Sequence, residues 1–234
     1  MSEARCVDIS SWQHPGGAPI DWAKVQGAGI VGVLVKATQG DGYVNPWLHT
    51  DLEDARAEGL LVGAYHFAET GVDGGAQGAH LVSALMGQVL DLGAWIDWEV
   101  GPLADYEVGS LYTPMLEAIE AARRPCGLYV DDSWRETFAR LALPIRRLWL
   151  AAPDGVPTGV RPMIVQTGSG TVDGIAGPVD MDALVSGRGV NLPPAPRPRP
   201  VAAPVDARPD DERAEEATEA HIAPVAEPPA VPGA

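Results

Sequence analysis

Seven short apolar runs punctuate residues 1–191: CVDIS, IVGVLVKA, LLVGAYHF, LGAWIDWE, CGLYVD, RRLWLAA and RPMIVQT. Most are separated by stretches long enough for a helix. Strands that are apolar almost throughout need cover on both faces, so the rhythm predicts a largely parallel sheet wrapped by helices. Seven or eight such strands predict a barrel. The segment is slightly short for a complete (β/α)8 barrel, so the expectation is an α/β fold, an irregular TIM-like β/α barrel lacking part of its helical ring.

The gaps carry helix signals. Asn45 followed by Pro46 reads as an N-cap with proline at the first helical position; WLHTDLEDARAE follows, and Gly59 stops it before the next strand. Ala76 to Leu90 and Ser110 to Arg124 space apolar residues by three and four, as in Leu81, Leu85 and Val89, or Met115, Ile119 and Ala122. Ser133 with Glu136 has the spacing of a capping box opening WRETFARL. From Leu192 onward Pro, Ala and charge replace the aromatics. Such a composition cannot bury a core. The reading is one domain, 1–191, followed by a disordered, acidic, Pro/Ala-rich tail or linker, 192–234, with at most a fraying helix around Asp211 to Ala220.

One run breaks the apolar pattern. WIDWE places Asp97 and Glu99 two apart in a strand, so both carboxylates leave one face while Ile96 and Trp98 leave the other. Burying one carboxylate is costly, and a like charge beside it raises the cost. Such a pair either does chemistry or serves as structural or metal-binding acids. Active sites of parallel barrels lie at the C-terminal strand ends. That rule adds Asp8, after CV on the first strand, and Asp180, after PV on what would be the last. Closure gathers all four around one mouth, where they titrate as a set and keep at least one proton near neutrality. Glycoside hydrolysis uses such a pair, one carboxyl protonating the leaving oxygen and another stabilising positive charge or activating the attacking group.

Charge narrows the choice of partners. Sixteen Lys and Arg face 32 Asp and Glu, for a net charge of −16. No basic surface is concentrated enough to neutralise phosphates, so nucleic acid is not expected as a partner. No apolar run approaches the ~20 residues of a membrane span, and membrane insertion is not expected. The start MSEARCVDIS lacks the cationic opening and apolar core of a secretory signal. Cys6 and Cys126, on the first and fifth runs, are expected across the barrel from each other as buried free thiols. Neither CxxC nor HExxH occurs, and no metal or other cofactor is expected. The chain is expected to be a monomer.

An ordered set of motifs resembles a known family. CVDISSWQ, GVLVKATQGDGYVNPWLHTDLEDARAEGLLVGAYHFAE, the D-x-E of WIDWE, LYVDDSW, LWLAA and VQTGSGTVDGIAGPVDMDAL, spread over roughly residues 5 to 186, are similar to the family 25 glycoside hydrolases, the N-acetylmuramidase lysozymes of phages, bacteria and fungi. The resemblance implies an irregular β/α barrel that cleaves the β-1,4 bond between N-acetylmuramic acid and N-acetylglucosamine in peptidoglycan without a cofactor. By position it makes Glu99 the general acid and sets Asp97 beside it, favouring the retained proton and orienting the acetamido group or the intermediate. Asp8 and Asp180 become supporting pocket acids. Acetamido participation and direct water attack both stay open.

Aromatic residues near the strand ends, Trp12, Tyr65, Tyr129 and Trp149, are candidates to stack on sugar rings. Trp98 alternates away into the core. His66 reads as a satisfied buried histidine, and Lys36 as a salt-bridge partner. The chain also departs from the family's habits. Gln39 stands where KATEG is common, VQTG replaces an aromatic-rich WQYT, and no aromatic follows LWLAA. A phage-type lysin, made in a host cytoplasm and reaching the wall through a holin or a virion, fits the lack of a signal. A glycan-holding or virion structural barrel without turnover, or a hydrolase of another glycan, is the alternative.

Overall fold

A computed structural model describes residues 4–185; the expected tail and its short helix lie outside the described residues. Nine strands form one sheet. They are β1 (Ala4–Ile9), β2 (Ile30–Gln39), β3 (Tyr43–Val44), β4 (Leu61–Phe67), β5 (Gly93–Asp97), β6 (Cys126–Val130), β7 (Leu148–Ala151), β8 (Ile164–Gly170) and β9 (Val179–Leu184). The order β1-β9-β8-β7-β6-β5-β4-β2 is closed by pairing of β1 with β2, which makes an eight-stranded barrel; β3 is a two-residue arm on the edge of β2.

Seven barrel strands run parallel, as their apolar text predicts, and β9 runs antiparallel to both neighbours, β1 and β8. That reversal was not foreseen. It follows from the short β8–β9 link, since a hairpin can join only antiparallel strands. Among the described residues no helix follows β7, so the ring is helix-depleted on that side, as its length predicts.

The helices are α1 (Trp22–Gly27), α2 (Leu48–Ala57), α3 (Gly74–Ala84), α4 (Asp105–Ala121) and α5 (Asp132–Arg140). Their starts differ from the expected ones. Helix α2 begins at Leu48, and Asn45 instead caps the preceding turn, accepting the Trp47 N–H at 3.1 Å. Asp131, not Ser133, caps α5: its Oδ1 takes the Trp134 N–H at 2.8 Å, and the Ser133 hydroxyl bonds to the same oxygen. An aspartate at N-cap outcompetes a serine already inside the first turn. Helices α3 and α4 begin earlier than expected, and α3 stops at Ala84, leaving Val89 beyond it and 74% exposed. None of these helices is long and apolar enough to cross a membrane.

Strand alternation divides the apolar residues into two layers. Outside the barrel, Val33, Val35, Ile96, Leu128 and Val130 pack against the helices, and Trp98 meets Tyr112, Trp134 and Phe138 edge-on, with its ring 5.3 Å from that of Phe138. Inside, Cys6, Leu34, Tyr65, Trp95, Tyr129, Trp149, Ile164 and Leu184 fill the lumen. Gly127 leaves space there: a Cβ on it would lie 2.2 Å from the Trp95 ring. The two cysteines are both buried and free, yet they do not face each other as expected: Cys6 points into the lumen and Cys126 into the outer layer.

Candidate active site

The lumen is apolar to mid-height, and its upper end carries the acids. On β5, Trp95 lies in the lumen and Asp97 directly above it, two residues on; Glu99 follows just past the strand, where it is exposed. On β1, Asp8 stands two residues above Cys6 and pairs across the sheet with Asp180 of β9. Because β9 descends from the mouth, Asp180 is at its rim and Asp182, two residues later, lies deeper, paired with Cys6 on one side and Gln166 on the other. The four acids singled out from the sequence do meet at one mouth. Asp182 and Gln166 complete the set.

These groups line two adjoining hollows. One, of about 240 Å³, is bounded by Asp97, Glu99, Lys36, Tyr129, Trp149 and Gln166; the other, about 360 Å³, extends past Gln13, Ser169 and Pro178. Asp8, Ser10, Trp12, Tyr65 and Asp180 border both, so the two form one groove across the top of the barrel. A groove this long fits an extended polymer better than a small metabolite.

Hydrogen bonds fix much of the geometry. The Gln166 Nε2 amide donates to Asp8 Oδ2 at 3.1 Å, which leaves Gln166 Oε1 as an acceptor, and the Tyr129 hydroxyl donates to it at 2.8 Å. Tyr129 Oη also lies 3.3 Å from Glu99 Oε1. A phenol has one proton. It can serve the Gln166 carbonyl, at the shorter distance, or the Glu99 carboxylate, at the longer. Tyr129 thereby links Glu99 to Gln166 and, through the Gln166 amide, to Asp8.

Burial and mutual repulsion disturb the acids. Burial above all, then Asp180, raises the Asp8 carboxyl to about 7, against the hydrogen bond from Gln166. Burial, helped by Glu99 and Asp8, holds Asp97 well above the usual carboxylate range, and its Oδ1 has no hydrogen-bond partner. Lys36 is the nearby cation. Burial lowers its pKa while Asp97, Glu69 and Glu99 oppose that effect. It forms no ion pair within 4 Å among the described residues, contrary to the expected salt bridge. Its ammonium donates to Gln39 Oε1 at 2.5 Å and sits 4.5 Å from the Phe67 ring centre, and Gln39 Nε2 in turn donates to Glu69. Gln39 therefore bridges a cation and an anion that a glutamate at its position would bias toward one sign.

The four aromatic candidates have different surroundings. Trp12 is 85% exposed at the lip, while Tyr65 and Tyr129 are largely buried in the walls. Trp149 forms the floor, buried among Tyr65, Trp95 and Tyr129, with its indole N–H given to Asp182 Oδ1 at 2.8 Å. His66 lies outside the lumen between Thr38 and Gln77, and burial lowers its pKa to about 4, in keeping with a neutral structural histidine. Among the described residues no group of three or more His, Cys, Asp or Glu is arranged to hold a metal ion.

The model of the family described as Glycosyl hydrolases family 25 matches residues 7–163, a span that takes in Asp8, the Asp97–Glu99 pair and Tyr129. The chain belongs to glycosyl hydrolase family 25. It is therefore a glycosyl hydrolase. The uncharacterized protein YegX of Escherichia coli (strain K12) is 26% identical over 190 residues, covering 76% of this chain and 68% of that one. Among solved structures, the lysozyme of Streptomyces coelicolor superposes with a TM-score of 0.66 at 24% identity, over 79% of this chain and 93% of that one. The CTP1L endolysin superposes with a TM-score of 0.66 at 22% identity, over 78% of this hydrolase and 66% of that chain. At these identities the superpositions establish the shared barrel.

The sequence carried a signal for the two residues it did not yield. Asp182 repeats in VDMD the acid-x-acid spacing of DWE, and Gln166 occupies the inward position two residues after Ile164. Neither reads as a site residue until β9 is known to run downward.

Proposed function

We propose that this hydrolase cleaves the β-1,4 bond between N-acetylmuramic acid and N-acetylglucosamine in peptidoglycan, with Glu99 as the general acid. The observation that supports the assignment is the meeting of Glu99, Asp97, Asp8 and Asp180 in one groove, where the Tyr129 hydroxyl lies between Glu99 and the Gln166 that bonds Asp8. Glu99 is exposed at the groove, where it can reach a glycosidic oxygen. Asp97 sits below it and lines the same hollow. Its carboxyl is placed to take the N–H of a substrate acetamido group, or to hold the attacking water. Asp8 and Asp180 add negative potential on the opposite wall, which favours a sugar ring developing positive charge. Trp12 offers a face for a neighbouring sugar ring.

The likeness to CTP1L, called an endolysin, supports a phage-type lysin. Such a protein is made in a host cytoplasm and delivered to the wall by holin-type release or by a virion, and it acts as a monomer on glycan strands. A specific observation favours a second reading, a barrel that grips glycan without turnover. At the lip Trp12 is strongly exposed, whereas Tyr65, Tyr129 and Trp149 are largely buried. Digestion of purified cell walls by the wild type and by Glu99→Gln decides between them. New muramic acid reducing ends from the wild type alone establish the proposed reaction; wall binding without release by either protein establishes the grip. Chitin digested in parallel separates the muramidase from a hydrolase of another glycan, which would cut chitin and release no muropeptides.

A further inference from the structure

One buried polar pair lies beside the groove and outside the set of acids. Residues 10–18 form an arm between β1 and α1, made of two short 3₁₀ turns, Ser11–Gln13 and Pro15–Gly17, with His14 between them. The first turn carries Trp12 and Gln13, which border the groove. Three side chains tie the arm to the barrel. Gln13 Nε2 donates to the Pro178 carbonyl at 3.1 Å, and the Tyr43 hydroxyl donates to Ser11 Oγ at 3.1 Å, both on the exposed surface. The third tie is buried: His14 Nε2 lies 3.0 Å from Asp51 Oδ2 on α2, with His14 5% and Asp51 1% exposed. The same ring stacks flat on Trp47, centre to centre 4.0 Å, and its Nδ1 lies 2.9 Å from the Ala18 carbonyl oxygen. Gly16 and Gly17, both at positive φ, turn the chain back toward the ring. Among the described residues no Lys or Arg pairs with either member.

The protons of this pair can be counted. A backbone carbonyl only accepts, and so does an ionised carboxylate. The two contacts of the ring therefore need two protons among Nδ1, Nε2 and Asp51, as an imidazolium facing a carboxylate or as a neutral ring facing a protonated acid. With one proton removed, a single proton is left for two contacts, and one contact becomes two lone pairs meeting away from water and opens. We propose that His14 and Asp51 are positioning residues that hold the Trp12 lip of the groove through a shared proton, and that loss of this proton at high pH frees the lip and weakens glycan binding. The proposal rests on the reading of the groove as a glycan site and adds a control of its lip. Electrostatics agrees with the geometry. Burial raises the Asp51 carboxyl from its ordinary 3.8 to about 6 against the attraction of His14, and Asp54 on the same helix, the other charged group acting on it, pushes the same way as burial. A folded-state value above the unfolded one means that the pair holds the arm fully below about pH 4 and loses that hold as pH rises through 6. Neither residue lines the groove, so both act through Trp12.

Binding of the full chain to purified cell walls from about pH 5 to about pH 9, with histidine ¹⁵N spectra over the same range, tests this. In the wild type the affinity for walls is expected to fall severalfold toward high pH. The mouth acids titrate over the same range, so the deciding comparison is with Asp51→Asn. There the carboxamide brings its own N–H to Nε2, and a neutral ring with hydrogen on Nδ1 serves both contacts at every pH. Its affinity at the acid end is expected to match the wild type, and most of the alkaline fall to vanish. Asp51→Leu deletes the partner and is expected to lower affinity severalfold at the acid end already. In a Trp12→Ala background the same leucine change costs much less, which a general loss of packing would not do. An asparagine variant whose affinity falls with pH as steeply as the wild type's overturns the proposal. So does a leucine change that costs as much without Trp12 as with it; if that variant does not fold, the asparagine comparison decides alone. The spectra need no glycan. The His14 signals, identified by their loss in His14→Gln, are expected to move as the shared proton leaves, and static signals overturn the shared proton. Moving signals in a protein that binds no walls would sink the glycan reading and leave the pair standing as a tie on the arm.

Discussion

Two strands of the barrel carry the same acid-x-acid pattern and invert each other. On β5, which rises to the mouth, Asp97 is the buried member and Glu99 the exposed one; on β9, which descends, Asp180 is at the rim and Asp182 is buried. In both, period-two alternation sends the pair into the lumen. The difference lies in what the deep acid meets. Asp97 lines the open hollow, whereas Asp182 lines neither part of the groove and is tied to Trp149. One deep acid borders the groove and the other is enclosed by the protein. The spacing of charges along a strand is therefore insufficient to identify a reacting pair; strand direction and the neighbouring strand decide.

The largest test of this contrast is Glu99→Gln. An exposed, nearly isosteric change leaves the melting temperature in place, while removal of a general acid lowers kcat by about 10²–10⁴-fold. The matching change at the other rim, Asp180→Asn, removes only a supporting charge, and its loss in kcat/KM on purified walls stays well short of that range. Equal losses at both rims would erase the distinction between the strands.

A second test uses pH and stability. The Asp8 carboxyl is raised from its ordinary 3.8 to about 7, first by burial and then by Asp180. Its folded-state pKa lies above the unfolded value, so the native state binds this proton more tightly. Its contribution is fully present below about pH 4 and is lost as pH rises through 7, each unit of separation corresponding to about 1.4 kcal/mol. Asp51, raised to about 6 mainly by burial and held down by His14, acts with the same sign in an overlapping window. Denaturant melts at pH 5 and pH 8 are expected to show higher stability at pH 5, with a smaller difference in Asp8→Asn. A wild type that gains stability between these values would show that the mouth acids are ionised and paired.

Much of this was legible in the sequence for physical reasons. Strands buried on both faces are apolar throughout, and CVDIS, IVGVLVKA and LGAWIDWE could hardly be anything else. Asp97 and Glu99 were visible because buried charge in such a run is costly. What escaped depended on tertiary partners. Asp182 lies in a strand whose direction is set by a hairpin, and Gln166 is uncharged, so nothing in composition marks it. Lys36 was read as a salt bridge because charge suggests a counter-charge, but a neutral amide and an aromatic face receive it instead. The outward turn of Cys126 follows from its register on β6, which an apolar run with no polar residue to phase it does not reveal.

Tyr129→Phe comes next in size, since it deletes the proton that links the two sides of the mouth. Gln166 Oε1 and Glu99 Oε1 both lose the hydroxyl as a donor, with no void left behind. A loss of about tenfold in kcat is expected from one hydrogen bond of about 1–1.5 kcal/mol, with KM little changed. Unaltered kcat would mean that Glu99 and Asp8 are set independently by their own strands.

The smallest effect should come from Trp12, which belongs to neither acid pair. It follows β1 in a short 3₁₀ turn capped by Ser10, and its ring is almost wholly exposed. Nothing in the core rests on it, so Trp12→Ala leaves the fold and the acids untouched. If the indole stacks on a sugar away from the scissile bond, its removal weakens ground and transition states alike: KM rises severalfold, by about 0.5–1.5 kcal/mol, and kcat holds. A fall in kcat at unchanged KM would place Trp12 over the reacting ring, and the groove's centre would then lie toward β1 instead of between β5 and β6.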